Sequence, residues 1–528
     1  MTLKAKLATL ALCSLAVAAG ADPGPATASA EAARGAGHRA NDAPTFTDVR
    51  RAVHTGAIVN LTPLVDDPDQ HDHHRLELLS APLTGSAAVS ANGRHITYAA
   101  PATAGVDTFT YRATDRAGLS VDGTARIVVY DDATLATCRQ DSTVTPAGVL
   151  DTRTKSNGCA YYGQTPTRVS IDGPVVMDYF VNWPSNGSAP KAVVVLIGGG
   201  DFNMAIRGNL DTGAGDVTGG ANNFVVRTAQ LLADAGYLAV ALDRPVPGPR
   251  VPPGSTDATT ATDYYRVSVD HAVDILTVLK SLDTRHLPVF LMGTSRGSMS
   301  VVAQNLIATG ISTSSTVTFD SNDNGRRLWV GKPSVPNLIA DYVHRPTHVL
   351  WHEQDGCIAS TPTGSRMFYE SLLVQGKGPS FNIASGGVRV MATGNGVSPD
   401  ICGPLNFHGY MGIENTVLGY LTTWFDQRVA ALGHDKPPHA AFAEVSTAAG
   451  VPVQVHLAGL THDHHRAHLS YALPGTATSF GGQAVLNGRT VTYTPPAGMT
   501  SGTDYFVYVV TDGRGGVGAA VVTVRVGG

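Results

Sequence analysis

One sequence pattern occurs twice in the chain, once near each end, and this repeat limits the possible folds more than any other feature. HDHHR stands at residues 71–75 and 462–466, and D-x-F-x-Y-x-x-x-D stands at residues 107–115 and 504–512. Between these motifs, apolar and polar residues alternate in short runs that Gly, Asn and Asp interrupt, which is typical of half-buried strands. The pattern predicts two homologous β modules, at residues 45–132 and 440–528.

The two end modules resemble the immunoglobulin-like or cadherin-like repeats of exported bacterial proteins. The resemblance depends on N-G-x-x-(I/V)-T-Y, at residues 92–98 and 487–493, followed by the D-x-F-x-Y-x-x-x-D run before the last strand. It implies an all-β sandwich for each module. It carries little information about function, because this fold serves many unrelated roles.

The first 21 residues are typical of a secretory signal peptide. Lys4 and Lys6 give them a positive start, residues 7–17 are apolar, and small residues at 19–21 suit a cleavage site. The apolar run is too short for a bilayer, and no later run reaches the roughly 18 apolar residues that a transmembrane helix needs. We expect residues 22–44 to form a flexible leader and the mature protein to be secreted or periplasmic.

The charge balance and the cysteine count narrow the class of protein further. The chain has 37 Lys and Arg against 42 Asp and Glu. Because a protein that binds nucleic acid needs a basic face, we expect no nucleic-acid partner. Removal of the signal peptide leaves four cysteines, Cys138, Cys159, Cys357 and Cys402. An even number in an exported protein predicts two disulfides, paired as Cys138–Cys159 and Cys357–Cys402.

Residues 135–432, between the modules, alternate strand and helix patterns, which indicates a mostly parallel sheet with flanking helices. A short linker with Pro and His follows at residues 433–439. The predicted strands are residues 191–197, 238–242, 288–292, 317–319, 348–351 and 388–391. The predicted helices are residues 222–235 and 263–282.

The sequence Gly-Thr-Ser-Arg-Gly at residues 293–297 joins a predicted strand to a segment with a helical pattern. A serine on such a sharp turn needs small neighbours, because its backbone is strained and the two arms of the turn approach closely. Gly293 and Gly297 meet this need. Ser295 is therefore the candidate nucleophile.

A serine hydroxyl becomes a good nucleophile when a base removes its proton and a carboxylate orients that base. Asp355 follows a predicted strand and is the candidate acid, with Asp320 as a rival after the preceding strand. His408 is the only histidine of the domain after Asp355 and is the candidate base. A disulfide between Cys357 and Cys402 would tie the acid loop to the histidine loop.

The oxyanion of an acyl-transfer intermediate needs two backbone N–H donors. Arg296, directly after the candidate nucleophile, is expected to supply one, and Gly200 or Asp201 in the LIGGGDF run at residues 196–202 the other. This run resembles the HGGG loop of esterases and lipases, with Ile197 in place of the histidine. Three further residues near the acid and the base are expected to act structurally, namely His352, Glu353 and Glu414.

Residues 135–432 as a whole resemble an α/β hydrolase. The resemblance rests on IGGGD, GTSRG, HEQDGC and HGYMGIE in this order. It implies acyl transfer through a serine-bound intermediate, with water as the usual acceptor and no cofactor. Esters are the commonest substrates of the family. The first hypothesis is therefore a secreted carboxylic-ester hydrolase of the α/β hydrolase fold, between two immunoglobulin-like sandwich modules.

The rim segments and the HDHHR motifs each allow more than one interpretation. Residues 202–221, 244–262 and 326–345 are expected to lie at the rim of the active site and could select the substrate. Each of them is equally well explained as an ordinary surface loop. The HDHHR motifs could ligate zinc. A solvated polar turn is the preferred interpretation, because adjacent side chains of a strand point apart, so we expect no metal site.

Three other hypotheses stay open at this point. One is an extracellular depolymerase of a polyester or an esterified polysaccharide, whose end modules grip the polymer; it resembles polyhydroxyalkanoate depolymerases in joining a lipase-type domain to β modules. Another is a serine peptidase of the prolyl oligopeptidase type, which usually has a large gating domain that this chain lacks. The last is a non-catalytic surface binding protein. The sequence does not determine the oligomeric state.

Overall fold

The structure, a computed structural model, describes residues 44–66, 74–139, 158–217, 220, 222–250, 258–282, 284, 286–317, 343–389, 400–433, 436–463 and 468–527. The predicted signal peptide, nearly all of the leader and most of both HDHHR motifs lie outside these residues. Asp320 and most of the rim segment 326–345 lie outside them as well.

An eight-stranded sheet forms the centre of the middle domain. Its strands, labelled in chain order, are β1 (Tyr161–Ser170), β2 (Gly173–Asn182), β3 (Val193–Ile197), β4 (Leu238–Leu242), β5 (Val289–Thr294), β6 (Gly310–Ser314), β7 (Thr347–His352) and β8 (Ser380–Ala384). Their order across the sheet is β1-β2-β4-β3-β5-β6-β7-β8. β2 is antiparallel to both neighbours, and the pairs from β4 to β8 are parallel. The sheet is thus mostly parallel, as the sequence predicts.

Both faces of the sheet are covered. Val193, Val195 and Ile197 of β3 belong to one buried hydrophobic cluster, whereas Val194 and Leu196 belong to a second. Because successive side chains of a strand point to opposite faces, each cluster fills one face of the sheet. The helices are Asp132–Cys138, Phe224–Arg227, Ala229–Asp234, Ala258–Arg266, Val269–Lys280, Gly297–Ala303, Pro362–Val374 and Glu414–Leu432. Single 3-10 turns lie at Asn305–Ile307, Phe407–Gly409 and Leu457–Gly459.

Two strands of the sheet, β6 and β8, are not predicted from the sequence, and two predicted strands lie partly outside the described residues. Only residue 317 of the strand expected at residues 317–319 is described; β6 lies just before it, and its sequence GISTS has too many hydroxyl groups to be recognised as a buried strand. One of these buried hydroxyls, that of Ser314, donates to the carbonyl of Gly293 on the neighbouring strand at 3.4 Å. Residues 388 and 389 of the strand expected at residues 388–391 are described and lie outside any strand, and Gly386 and Gly387, both with positive φ, separate them from β8.

The two predicted helices are each interrupted. The segment 222–235 forms Phe224–Arg227 and Ala229–Asp234, with Thr228 between them. The segment 263–282 lies in Ala258–Arg266 and Val269–Lys280, because Ser268 has an extended backbone with ψ of 163°. An apolar pattern continues across both breaks, so periodicity alone does not reveal them.

The two end modules have the same architecture, with a four-stranded and a three-stranded sheet. In the first, Val49–His54, Ser120–Tyr130, Gly105–Thr114 and Arg75–Leu78 form one sheet, and Ile58–Leu61, Ile96–Ala99 and Ser86–Val89 the other. In the second, they are Ala443–Thr447, Val517–Val526, Gly502–Thr511 and Ser470–Ala472, and Val453–His456, Thr490–Thr494 and Gln483–Asn487. Each module also has one two-stranded pair, Thr45–Thr47 with Leu64–Asp66 and His439–Ala440 with Thr461–His462.

A buried tyrosine–aspartate contact explains why the same motifs recur in both modules. The hydroxyl of Tyr98 donates to Asp107 at 2.9 Å, and that of Tyr493 donates to Asp504 at the same distance. Each carboxylate also accepts backbone N–H groups from the segment just before Ser86–Val89 in the first module or Gln483–Asn487 in the second. In addition, each accepts the N–H of the next residue in its own strand. The repeated motif therefore serves the fold of the module.

The second module packs directly on the middle domain. Tyr505, Val507 and Val517 belong to the same buried cluster as residues of the helix Val269–Lys280. The hydroxyl of Tyr505 accepts the backbone N–H of Val169 at 2.9 Å. The first module contributes to this cluster too, through Ala52, Val128 and Tyr130.

Candidate active site

Ser295 lies on a strained turn between β5 and the helix Gly297–Ala303. Its φ is +52°, a left-handed value that is uncommon for a residue other than glycine. A Cβ on Gly293 would collide with the carbonyl of Gly297, and a Cβ on Gly297 would collide with the carbonyl of Ile197. The two glycines are thus needed for the close approach of strand and helix, and the turn is held by a hydrogen bond from the Ser295 N–H to the carbonyl of Ser314 at 2.9 Å.

Asp355 and His408 are in direct contact. Asp355 follows β7, and its Oδ2 lies 2.9 Å from Nδ1 of His408, which stands on the 3-10 turn Phe407–Gly409. Both side chains are buried. An ionised carboxylate can only accept hydrogen bonds, so Nδ1 of His408 carries the proton and Nε2 of the neutral ring is left as an acceptor.

Nε2 of His408 is buried, and His408 lines a pocket. Within the described part of the chain, this buried atom makes no hydrogen bond. His408 and Ser295 both line a pocket of about 550 Å³. The pocket's other lining residues include Met204, Phe224 and Leu405 and several glycines. Ser295 and His408 therefore line the same pocket, and no hydrogen bond joins Oγ of Ser295 to Nε2 of His408 in the described structure.

The Gly-rich loop after β3 lies beside Ser295. A Cβ on Gly199 would come within 2.8 Å of the Cβ of Ser295, so only glycine fits there. Gly200, with φ of +58°, and Asp201 both line the pocket. Arg296 follows Ser295 in the turn, and its side chain forms an ion pair with Asp263. Gly200 and Asp201 thus line the same pocket as Ser295, and Arg296 directly follows Ser295.

Both disulfides are present with the expected pairing. Cys357 and Cys402 are bonded and connect the loop of Asp355 to the segment that leads to His408. Cys138 and Cys159 are bonded at the start of the middle domain. The first of these bonds joins the two loops whose side chains form the Asp355–His408 contact.

The three residues expected to act structurally all have structural contacts. His352 Nε2 lies 2.8 Å from the carbonyl of Gly386, and its ring stacks on Phe407. The Glu353 N–H donates to the carbonyl of Ala384 at 2.9 Å. Glu414 is buried, where it accepts a hydrogen bond from Arg227.

Sequence reasoning missed three residues that hold the site together. Arg227 donates to the carbonyls of Pro404 and Gly409 on the histidine loop. Ser360 Oγ lies 3.1 Å from Nδ1 of His408. Arg266 donates to carbonyls of the Gly-rich loop. Each contact joins residues far apart in sequence, so no local pattern reveals it.

No group of His, Cys, Asp and Glu suited to a metal ion occurs among the described residues. The HDHHR motifs, which raised the question of zinc, fall largely outside them. Similarly, none of the helices described is long and apolar enough to cross a membrane.

Comparison with known proteins identifies the end modules. A family model of bacterial Ig domains matches residues 41–128 and 435–525, which confirms the immunoglobulin-like prediction for both ends. No curated protein matches this chain by sequence.

Solved structures similar to this chain include several α/β hydrolases. A lidless serine hydrolase from Xanthomonas campestris is 14% identical, covers 51% of this chain and 94% of its own, and has a TM-score of 0.29. A carboxylesterase from Lactobacillus plantarum is 12% identical, covers 51% and 97%, and has a TM-score of 0.32. An acylaminoacyl peptidase from Pyrococcus horikoshii is 15% identical, covers 53% and 44%, and has a TM-score of 0.31.

Proposed function

We propose that this chain is a serine hydrolase that cleaves carboxylic esters through an acyl-enzyme intermediate. One observation carries the proposal. Ser295 stands on a strained turn, and His408, whose Nδ1 is fixed by Asp355, leaves Nε2 without a described hydrogen-bond partner beside the pocket that Ser295 lines. This combination of a nucleophile, a base and a group that orients the base is what acyl transfer requires.

In the proposed acylation, Oγ of Ser295 attacks the ester carbonyl as Nε2 of His408 takes its proton. Asp355 stays ionised and stabilises the imidazolium that forms. The N–H of Arg296 and that of Gly200 or Asp201 hold the negative oxygen of the tetrahedral intermediate. The intermediate then collapses, and His408 returns the proton to the departing alcohol.

Deacylation repeats these steps with water as the nucleophile. His408 takes a proton from water, the second tetrahedral intermediate releases the acid, and Ser295 recovers its proton. None of these steps requires a cofactor. The sequence features of residues 1–21 and the two disulfides favour a secreted or periplasmic location, because disulfides persist in oxidising compartments.

The test is hydrolysis of p-nitrophenyl esters from acetate to palmitate by the wild type and by Ser295→Ala. Ser188→Ala, which changes an exposed serine, is the matched control. Turnover that disappears only in Ser295→Ala supports the proposal, and the dependence on chain length then reports the size of the acyl site. Equal rates in wild type and Ser295→Ala would contradict it. A wild type that cleaves peptide p-nitroanilides but no ester would favour the peptidase alternative.

A further inference from the structure

We propose that Arg266 is a positioning residue that fixes the oxyanion-binding loop, an inference that rests on the proposed acyl-transfer function. Its side chain is fully buried. One terminal nitrogen donates to the carbonyl of Gly198 at 2.9 Å and to that of Gly200 at 3.2 Å, with the carbonyl of Gly199 at 3.5 Å. The other donates to Oγ of Ser300 at 3.0 Å, on the helix that follows Ser295.

Anchoring these carbonyls also fixes the N–H groups that would bind the oxyanion. A peptide unit is planar and trans, so its C=O and N–H point in opposite directions. The carbonyl of Gly199 shares a peptide plane with the N–H of Gly200, and the carbonyl of Gly200 shares one with the N–H of Asp201. Carbonyls that face Arg266 therefore turn both candidate donors away from the guanidinium.

The loop needs such an anchor because its glycines restrict it little. Gly200 has φ of +58°, and glycine occupies positive and negative φ with similar ease. Among the hydrogen bonds within the loop, the N–H of Phe202 reaches the carbonyl of Gly199 at 3.2 Å. A flip of the Gly200–Asp201 peptide would reverse the direction of the Asp201 N–H, and the donation from Arg266 to the carbonyl of Gly200 opposes that flip.

The same helix contacts the other side of the oxyanion site. Asp263 stands one turn before Arg266 on Ala258–Arg266 and forms an ion pair with Arg296, whose N–H is the other candidate donor. Through Arg266 and Asp263, one helix thus holds the loop after β3 and the turn after β5. Their separation determines where the two donors lie relative to Ser295.

The chemistry of the contact argues against a purely space-filling role. Burial is costly for a cation and lowers the pKa of Arg266 to about 10, so it remains charged near neutral pH. Its hydrogen bonds within the described residues go to carbonyls and a hydroxyl. The planar fork of arginine suits several acceptors at once, whereas the lysine ammonium is a point charge.

The experiment compares Arg266→Met and Arg266→Lys with wild type. The readouts are kcat and KM for p-nitrophenyl butyrate, the inhibition constant of a trifluoromethyl ketone, and the thermal midpoint. The ketone forms a tetrahedral adduct with a catalytic serine, so its affinity depends on the oxyanion site. Arg168→Lys is the matched control, because Arg168 is also buried and bidentate but contacts Asp274.

For Arg266→Met, we expect kcat to fall by about 10²-fold, as for loss of one oxyanion donor, with KM changed little. The inhibition constant of the ketone should rise in proportion to the loss of kcat/KM. The kcat of Arg266→Lys should lie between those of the wild type and Arg266→Met, with a loss of about tenfold relative to the wild type. Arg168→Lys should lower the thermal midpoint without changing the affinity for the ketone.

The inference is overturned if either soluble Arg266 variant keeps wild-type kcat and ketone affinity, or if its kcat falls while the ketone still binds as tightly. Should Arg266→Met fail to fold, Arg266→Lys decides alone by the same two readouts. A wild type that neither hydrolyses esters nor binds the ketone would overturn the proposed function and this inference together. A wild type that does both, with unaffected Arg266 variants, overturns the inference alone.

Discussion

Arg227 and Glu414 form a buried ion pair, with 2.9 Å between Nε of the arginine and Oε1 of the glutamate. The helix Phe224–Arg227 lines the pocket at Phe224, and Glu414 begins the long helix after the histidine loop. Arg227 also donates to the carbonyl of Gly409, the residue after His408. The pair thus couples the position of His408 to two helices.

Glu414→Ala should destabilise the protein by about 3–5 kcal/mol, because it removes the carboxylate that neutralises the buried guanidinium of Arg227. The free energy of unfolding in urea measures this loss. The control is Glu370→Ala, which breaks an exposed pair with Arg366 and should cost about 0.5 kcal/mol or less. Equal losses of unfolding free energy in both variants would show that the buried Arg227–Glu414 pair stabilises the protein no more than an exposed pair.

The Cys357–Cys402 bond should matter for activity as well as stability. The double variant Cys357→Ser/Cys402→Ser should lose about 2–4 kcal/mol of stability and also turn over esters more slowly, because the acid and histidine loops are no longer tied. Cys138→Ser/Cys159→Ser is the control and should lower stability with kcat preserved. Unchanged kcat in the first variant would show that packing alone aligns the two loops.

Two buried histidines should make the protein sensitive to acid. Burial lowers the pKa of His348 to about 4 and holds the pKa of His271 well below its usual value. Below pH of about 6.5, the unfolded chain binds protons at these positions while the native state does not, so stability falls as the pH falls. Each group contributes up to about 1.4 kcal/mol per pH unit.

His271→Phe should therefore reduce the dependence of the unfolding free energy on pH between 6.5 and 5. Urea denaturation at several pH values measures the slope. His456→Phe, which changes an exposed histidine, is the control. If the slope for His271→Phe equals that of the wild type, the buried ring is not the source of the acid sensitivity.

Removal of residues 434–528 should destabilise the middle domain. Tyr505, Val507 and Val517 cover the helix Val269–Lys280, so the truncation exposes side chains of that helix such as Leu276 and Leu279, at a cost of about 1.5–3 kcal/mol for each one fully exposed. Soluble yield and thermal midpoint measure the effect. A truncated protein with the wild-type midpoint would show that the module packs without contributing to stability.

The sequence predicts the features that depend on local backbone requirements. Gly293 and Gly297 are there because strand and helix approach closely, and that requirement is visible as a motif. The repeated tyrosine and aspartate motifs likewise identify the end modules, and the family match confirms them. A mostly parallel sheet with a serine on a strand-to-helix turn, between two such modules, could be predicted from these local patterns.

The features that escaped prediction depend on contacts between distant residues. β6 was missed because its serines and threonines suggest a loop, whereas the folded chain buries all five of its residues between two neighbouring strands. Arg266 has an unremarkable position in the sequence, and only the folded chain brings it to the Gly-rich loop. The breaks at Thr228 and Ser268 interrupt helices whose apolar pattern continues.

The packing of the second module on the middle domain also constrains how the candidate active site can meet a large substrate. A binding domain on a flexible tether lets its catalytic partner sample many positions on a surface. Here the Tyr505 hydroxyl is hydrogen-bonded to the backbone N–H of Val169, and Val517 is buried in the hydrophobic cluster that the second module shares with the middle domain. If this module binds a solid or a polymer, the pocket would therefore have a fixed position and orientation relative to the bound surface. Bonds outside that position would be cleaved only after the whole protein had dissociated and bound again elsewhere.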